Sequence, residues 1–144
     1  MFSKACEHAI KAIIYIASQS LEGKRVKIGD IVKNSGSPEA FTAKILGALT
    51  KYDIVNSLTG PTGGFYVDLK QMKKTNLGDI VKAIDGDAIF NGCGLGLSEC
   101  NEDQPCAVHD RFVKVRSEIK NMLTTTSIYD LALALKSGET VIKR

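Results

Sequence analysis

The chain has 144 residues, of which 44% are hydrophobic and 24% are charged, and its net charge is +3. This composition predicts a folded domain and excludes a disordered chain, and no apolar run approaches the roughly 20 residues that a membrane span needs. A mildly basic balance permits binding to nucleic acid without requiring it. Because the amino terminus lacks the charged head and apolar run of a signal peptide, we expect a cytoplasmic protein with reduced cysteines.

Three amphipathic helices are predicted in the first third of the chain. Apolar residues at steps of three and four predict a first helix over residues 4–20 and a shorter second one that ends at the turn of residues 34–36. Ser37 is a suitable N-cap and Pro38 a suitable first residue for a third helix, over residues 38–52. The residues that this third helix is expected to bury are Phe41, Ile45, Ala48, Leu49 and Tyr52.

The opposite face of the third helix is unusually bare. Ordinary solvent-facing helices carry many Lys and Glu residues, whereas small side chains allow another molecule to approach the backbone closely. Two helices joined by a tight turn, the second with such a face, predict a helix-turn-helix whose second helix enters a DNA major groove. The residues on this face are Glu39, Ala40, Ala43, Gly47 and Thr50, with Thr42 and Lys44 beside them.

A β-hairpin is predicted next, with strands at residues 54–58 and 65–67 and a turn at residues 59–64. Beside a helix-turn-helix such a hairpin is a wing, whose turn amides face phosphates, although the tip holds no Lys or Arg. A plain hairpin beside three helices is the alternative interpretation. The predicted DNA contacts are Ser37, Ala40, Thr42, Lys44, Thr59, Gly60, Pro61, Thr62, Gly63 and Gly64, with Lys24, Arg25 and Lys27 available to phosphates.

The second half of the chain predicts three more elements and a loop. A helix begins at residue 75 or 76 and ends before the turn of residues 85–87, and a last helix runs from Ser127 to about residue 138. Between them a longer helix has apolar residues at alternating steps of four and three, which is typical of a coiled-coil seam and predicts dimerisation. Packing within one subunit is the alternative for this seam, which consists of Val108, Phe112, Val115, Ile119 and Met122.

Three cysteines and a histidine lie close together in the polar stretch before this long helix. Cys93, Cys100 and Cys106 are followed by His109, and thiolates and imidazoles are the ligands of soft metals and of iron-sulfur clusters. Six residues separate the first two cysteines and five the next two, wider gaps than the tight pairs of structural zinc sites. The spacing therefore favours a cluster. If a helix begins near Cys106, that thiol and His109 project from the same side.

Other interpretations of the cysteines remain open. One alternative is a redox switch in which the thiols act without a cluster. The other, for an exported protein, is a pair of disulfides that includes Cys6. A catalytic pair of Cys106 and His109 lacks an evident third residue or oxyanion site, so we do not expect an enzyme. Cys6 is expected to be a buried thiol.

Together these elements predict a mainly α fold with a small β-hairpin. A winged helix-turn-helix occupies residues 1–70, and a cluster-binding loop (residues 88–109) and dimerisation helices occupy residues 75–144, within one compact domain overall. The order of the elements resembles the IscR- and NsrR-type bacterial winged-helix regulators of the Rrf2 family over essentially the whole chain. The most specific matches are the segments LTGPTGGF (58–65) and LGDIVKAIDG (77–86) and the three cysteines with the following histidine.

The resemblance implies a homodimeric transcription regulator that binds a palindromic operator in double-stranded DNA and carries an iron-sulfur cluster whose state alters DNA affinity. Cys93, Cys100 and Cys106 match the three thiolate ligands, and His109 matches the histidine of the IscR-type [2Fe-2S] site, which we expect in preference to [4Fe-4S]. Glu7 is the alternative fourth ligand, because NsrR-type proteins take a carboxylate from the first helix of the partner subunit.

This chain also departs from the family pattern. The first cysteine gap is one residue longer than the IscR spacing, and the second is shorter than the NsrR spacing. Ala43 stands where the IscR branch has an acidic base reader, and Thr59 stands where it has an arginine at the wing tip. We therefore expect a different operator.

Overall fold

The computed structural model describes all 144 residues and is mainly helical, with one two-stranded antiparallel hairpin. The predicted fold class is confirmed, although two short helices, at Leu69–Lys74 and Ala88–Asn91, were not predicted. None of the helices is long and apolar enough to span a lipid bilayer. In chain order the elements are α1 (Lys4–Ser20), α2 (Ile28–Ser35), α3 (Glu39–Lys51), β1 (Asn56–Leu58), β2 (Gly64–Tyr66), α4 (Leu69–Lys74), α5 (Leu77–Asp85), α6 (Ala88–Asn91), α7 (His109–Thr125) and α8 (Ile128–Lys136).

Helix α1 is the centre of the fold and packs against α2, α3, α5 and α8. It begins where Ser3 accepts a hydrogen bond from the Cys6 amide at 3.0 Å. Ile13 and Ile16 are fully buried, and Ala9 and Ala12 allow the neighbouring helices to approach closely. Full burial of a large aliphatic side chain contributes about 1.5–3 kcal/mol, so this helix holds the two halves of the chain on a common core.

Helix α3 buries most of the predicted face, with Ile45 buried and Phe41 packed against the core. Leu49 is buried as expected and Leu46 is buried as well, but Tyr52 is 58% exposed. Tyr52 is the C-cap of the helix, where the backbone has already left helical geometry. Helical periodicity therefore does not apply to its side chain.

Helix α7 is attached to the rest of the chain along a narrow strip. Leu123 is its only fully buried residue, while Val115 and Met122 are 53% and 42% exposed. The helix contacts α5 and α6, and its apolar seam is only partly covered by its own subunit.

Candidate nucleic-acid interface and cysteine site

The turn between α2 and α3 is held from inside the protein. Gly36 has a φ of 74°, a left-handed conformation that glycine adopts at little cost. Ser37 does not cap α3 as predicted: its Oγ lies 2.7 Å from His8 Nδ1 and accepts a hydrogen bond from Ser35 Oγ at 3.2 Å. Because Ser37 is only 3% exposed, it positions the turn and is not available to DNA.

Thr42 is also withdrawn from the predicted interface. It is 1% exposed, and its Oγ1 donates a hydrogen bond to the Pro38 carbonyl at 2.7 Å. Of the predicted contacts on α3, Ala40 and Lys44 are exposed. Glu39 lies on this face and was not predicted to contact DNA, although a carboxylate at the start of such a helix suits a cytosine amino group. The exposed face consists of Glu39, Ala40, Ala43, Lys44, Gly47 and Lys51.

The hairpin gains a third backbone segment from the chain before α2. Val26 pairs with Phe65 through two backbone hydrogen bonds of 3.0 and 2.8 Å. Gly64 is buried against this segment, and a Cβ there would lie 2.7 Å from the Val26 carbonyl oxygen. A Cβ on Gly63 would lie 2.0 Å from the Leu58 carbonyl oxygen. Gly63 and Gly64 thus shape the wing, whereas residues 59–62 are exposed at its tip.

Positive charge reaches the wing tip from this neighbouring segment. Lys27 Nζ donates to the Gly60 carbonyl at 2.7 Å, and Arg25 Nη1 lies 3.4 Å from the Thr62 carbonyl. Arg25 also stacks over the ring of Tyr66, 5.4 Å from its centroid. The tip, which has no cation of its own, therefore carries two exposed cations beside it.

The cysteine site brings one pair of donor side chains into contact. Cys100 Sγ lies 3.5 Å from His109 Nδ1, whereas Cys106 only adds to the lowering of the Cys93 thiol pKa, less than the Leu95 and Leu97 amides do. Helix α7 begins at His109, after Cys106, so the expected pairing of Cys106 with His109 on one helical face does not occur. All four cysteines of the chain are free, and the three in this loop are partly exposed.

The backbone of the loop supports the Cys93 sulfur. The Leu95 amide donates to Cys93 Sγ at 3.4 Å, and this bond, followed by one from the Leu97 amide, lowers the pKa of the Cys93 thiol. Amide hydrogen bonds to sulfur are among the features that tune thiolate-bound iron. The site is therefore suited to holding a thiolate at Cys93.

Arg116 joins the loop to α7. Its guanidinium donates to the Gly92 carbonyl at 2.6 Å and lies 3.6 Å from Cys100 Sγ. Nearby, Gly94 lies so close to the ring of Phe112 that a Cβ would be 2.6 Å from its nearest atom. Nothing in the sequence pattern singled out Arg116, because its role depends on a loop conformation that periodicity does not describe.

The donor side chains do not form a single-metal site as they stand. A zinc ion requires its sulfur ligands at about 2.3 Å from a single point, and no three Cys, His, Asp or Glu side chains converge in this way.

The two remaining candidates lie on α1. Glu7, the alternative ligand, is bound to Lys4 Nζ at 3.0 Å, and this hydrogen bond lowers the pKa of the Glu7 carboxyl. Cys6 is fully buried, and burial together with the nearby Asp85 raises the pKa of its thiol to about 12. Cys6 is thus a structural thiol, as expected.

A helix-turn-helix with an exposed, small-residue second helix and a flanking cationic hairpin defines a winged helix-turn-helix transcription regulator. The chain belongs to the Rrf2 family, whose model, described as an iron-dependent transcriptional regulator, matches residues 2–134.

Known proteins are similar over nearly the whole chain. A protein of Aquifex aeolicus, described as a candidate HTH-type transcriptional regulator, is 34% identical over 134 residues, covering 91% of this chain and 90% of the relative. The HTH-type transcriptional regulator IscR of Pectobacterium atrosepticum is 24% identical over 124 residues, covering 86% of this chain and 74% of that protein.

Two solved structures share the fold. CymR (YrzC), the global cysteine regulator of B. subtilis, has a TM-score of 0.73 at 20% identity and covers 92% of this chain and 96% of its own. IscR of T. potens has a TM-score of 0.73 at 16% identity and covers 98% of this chain and 92% of its own. At these identities the two structures support the fold.

Proposed function

We propose that this protein is a homodimeric transcription regulator that binds a palindromic DNA operator and whose affinity is controlled by an iron-sulfur cluster. The ligands are Cys93, Cys100, Cys106 and His109. The observation that supports this most directly is the contact of Cys100 Sγ with His109 Nδ1 at 3.5 Å, at the start of α7 and in the same loop as Cys93 and Cys106.

The DNA-binding role belongs to residues 1–70. The exposed face of α3 enters the major groove, where Lys44 donates to guanine and Glu39 accepts from cytosine. The wing tip (residues 59–62) lies along the phosphates, with Arg25 and Lys27 supplying the charge. Few exposed side chains on α3 can form hydrogen bonds to base edges, so base recognition depends on a small number of contacts.

Dimerisation belongs to α7. Val115 and Met122 are exposed apolar residues on the same seam as the partly covered Phe112 and Ile119. A second copy of α7 would bury this seam, as in a coiled coil. Dimeric helix-turn-helix proteins bind half-sites about one turn of DNA apart. The relative position of two α7 helices would therefore determine which half-site spacing the dimer can bind.

The sensing loop connects to α7 at two points. His109 is the first residue of that helix, and Arg116, two turns later, is hydrogen-bonded to the loop backbone at Gly92. A bound cluster would supply a cross-link that depends on iron and on redox state. A rearrangement of the loop is then transmitted through His109 and Arg116 to the dimer helix, and so to the spacing of the two α3 helices.

The contact of His109 with Cys100 favours [2Fe-2S] over [4Fe-4S], because histidine replaces cysteine as a ligand in some [2Fe-2S] centres. Cys93 and Cys106 would supply the other two ligands. Glu7 is the alternative fourth ligand through the partner subunit. Within its own chain it is bound to Lys4.

A cluster-free thiol switch is the second candidate. The lowered pKa of the Cys93 thiol, caused first by the Leu95 and Leu97 amides, favours attack of this thiol on peroxide. A second loop thiol would then complete a disulfide, with release of two water molecules in all. The same loop would then rearrange without iron.

Anaerobic purification separates the two candidates. The cluster is supported by a coloured protein that contains equal amounts of iron and sulfide and whose affinity for a selected duplex differs from that of the apo form. A colourless protein that accepts no reconstituted iron, and whose DNA affinity changes on peroxide treatment, supports the switch. His109→Ala should destabilise the cluster, whereas Glu7→Gln should not; the reverse result would assign the fourth ligand to Glu7.

A further inference from the structure

The carboxyl-terminal tail, residues 138–144, is folded against the helix-turn-helix. Ile142 is partly buried and packs on the common core. Lys143 Nζ donates to the Lys33 carbonyl at 3.0 Å, in the last turn of α2, where carbonyls have no partner within the helix. The Lys143 methylenes lie over Gly36, about 3.8 Å from where a Cβ would stand. The tail is thus placed at the turn that leads into α3.

This placement gathers positive charge beside the turn. An open hollow of about 520 Å³ is lined by Ser35, Gly36 and the tail, and three of its lining residues are cations. No acidic side chain lines it. Since an ammonium has three N–H donors and Lys143 uses one on Lys33, two remain for an external acceptor. The three cations are Lys11, Lys143 and Arg144.

We infer that this basic cluster (Lys11, Lys143 and Arg144) binds the phosphate backbone of the DNA beside the half-site that α3 reads. The inference rests on the proposed DNA-binding function and adds a contact to it. The cluster adjoins Gly36, the C-cap of α2, three residues before α3 begins at Glu39, whereas the wing cation Lys27 is the N-cap at the other end of α2. DNA bound to α3 would then be contacted by cations near both ends of α2.

The test is the salt dependence of DNA binding. A duplex selected by the full-length wild-type protein from a random library is titrated with wild type and with Lys143→Met/Arg144→Met between 50 and 200 mM salt. Methionine keeps the apolar stem over Gly36 and removes the charge. Each lost phosphate contact reduces the slope of log affinity against log salt concentration by about 0.9. For two lost contacts, the ratio of wild-type to variant affinity should therefore fall about 12-fold between 50 and 200 mM salt. The charge-matched control is Lys114→Met/Lys120→Met on α7.

Each outcome decides the matter. A smaller salt slope in the tail variant alone, with restored slope in Lys143→Arg/Arg144→Lys, supports the contact. An unchanged slope overturns it, even if affinity falls, because a tail that only braces the turn alters affinity without releasing fewer counterions. If the wild type binds no duplex, the proposed function itself fails, and the phosphate contact with it.

Discussion

Replacing Gly94 by alanine tests whether the loop is positioned by α7. The new Cβ would lie 2.6, 2.7 and 2.9 Å from three ring atoms of Phe112, well inside van der Waals contact. Because Gly94 is exposed and the ring is partly covered by the protein, the loop is the part that moves, by about 1 Å, and it carries the adjacent Cys93. Loss of support around a metal ligand typically costs 10- to 100-fold in metal affinity.

The assay is iron release after anaerobic reconstitution, followed by loss of visible absorption on adding a chelator. Gly94→Ala should release iron about 10- to 100-fold faster than wild type. Its urea stability should change by no more than about 1 kcal/mol, since an exposed loop can relieve the overlap.

Gly23→Ala is the matched control. Gly23 has a φ of 73°, and no atom lies within 4 Å of the place that a Cβ would occupy, so alanine there strains the backbone by about 1–2 kcal/mol outside the cysteine loop. The double variant Gly94→Ala/Phe112→Ala has no ring for the new Cβ to meet. It should therefore release iron no faster than Phe112→Ala alone. Wild-type release rates in Gly94→Ala, or no recovery in the double variant, would refute this account of the loop.

Four further outcomes are expected. Gly63→Ala should weaken binding to a selected duplex at least tenfold while leaving the far-ultraviolet circular dichroism spectrum unchanged, because the wing cannot close around a Cβ 2.0 Å from a carbonyl oxygen; unchanged affinity would contradict the role of the wing. Val115→Glu/Met122→Glu should give a monomer in analytical ultracentrifugation, since charge on the seam opposes its burial, and a persistent dimer would place the interface elsewhere. Glu39→Gln should relax selection at one base-pair position by about 1–3 kcal/mol in competition binding, whereas uniform weakening would exclude base reading. In the apo protein, Cys6 should react with iodoacetamide only after unfolding, as followed by mass spectrometry, because it is fully buried and its pKa is raised to about 12; rapid labelling of the native protein would contradict its burial.

Local sequence signals predicted the framework well. The apolar steps of α1 predicted residues 4–20, and the helix is Lys4–Ser20. The hairpin was also predicted, because turn residues separate two short apolar runs. Helix α4 was missed despite a usable signal: Asp68 and Gln71 form a capping box, with Asp68 accepting from the Gln71 amide at 2.7 Å.

Features that depend on tertiary contacts were not predicted. Ser37 has the residue type of an N-cap, but the nearby His8 on α1 provides a partner that no local rule reveals. Thr42 lies one position from the predicted apolar stripe and is turned inward by the packing of α3 on α1 and α5. The cysteine spacing predicted a ligand set that stays a prediction, whereas the contacts of Cys100 with His109 and with Arg116 depend on the path of the loop.

The hydrogen bonds between Ser3 and Asp85 fix the beginning of the cysteine segment. The Ser3 amide donates to Asp85 at 3.1 Å and its hydroxyl donates to the same carboxylate, which ties the last residue of α5 to the start of α1. Beyond that anchor, the chain from residue 86 to residue 108 contains no helix longer than the four residues of α6. Phe90 of α6 belongs to the core and the Gly92 carbonyl is bound by Arg116, so the stretch that the core does not hold is residues 93–108. We expect inserts of other lengths there to leave the fold of residues 1–70 intact.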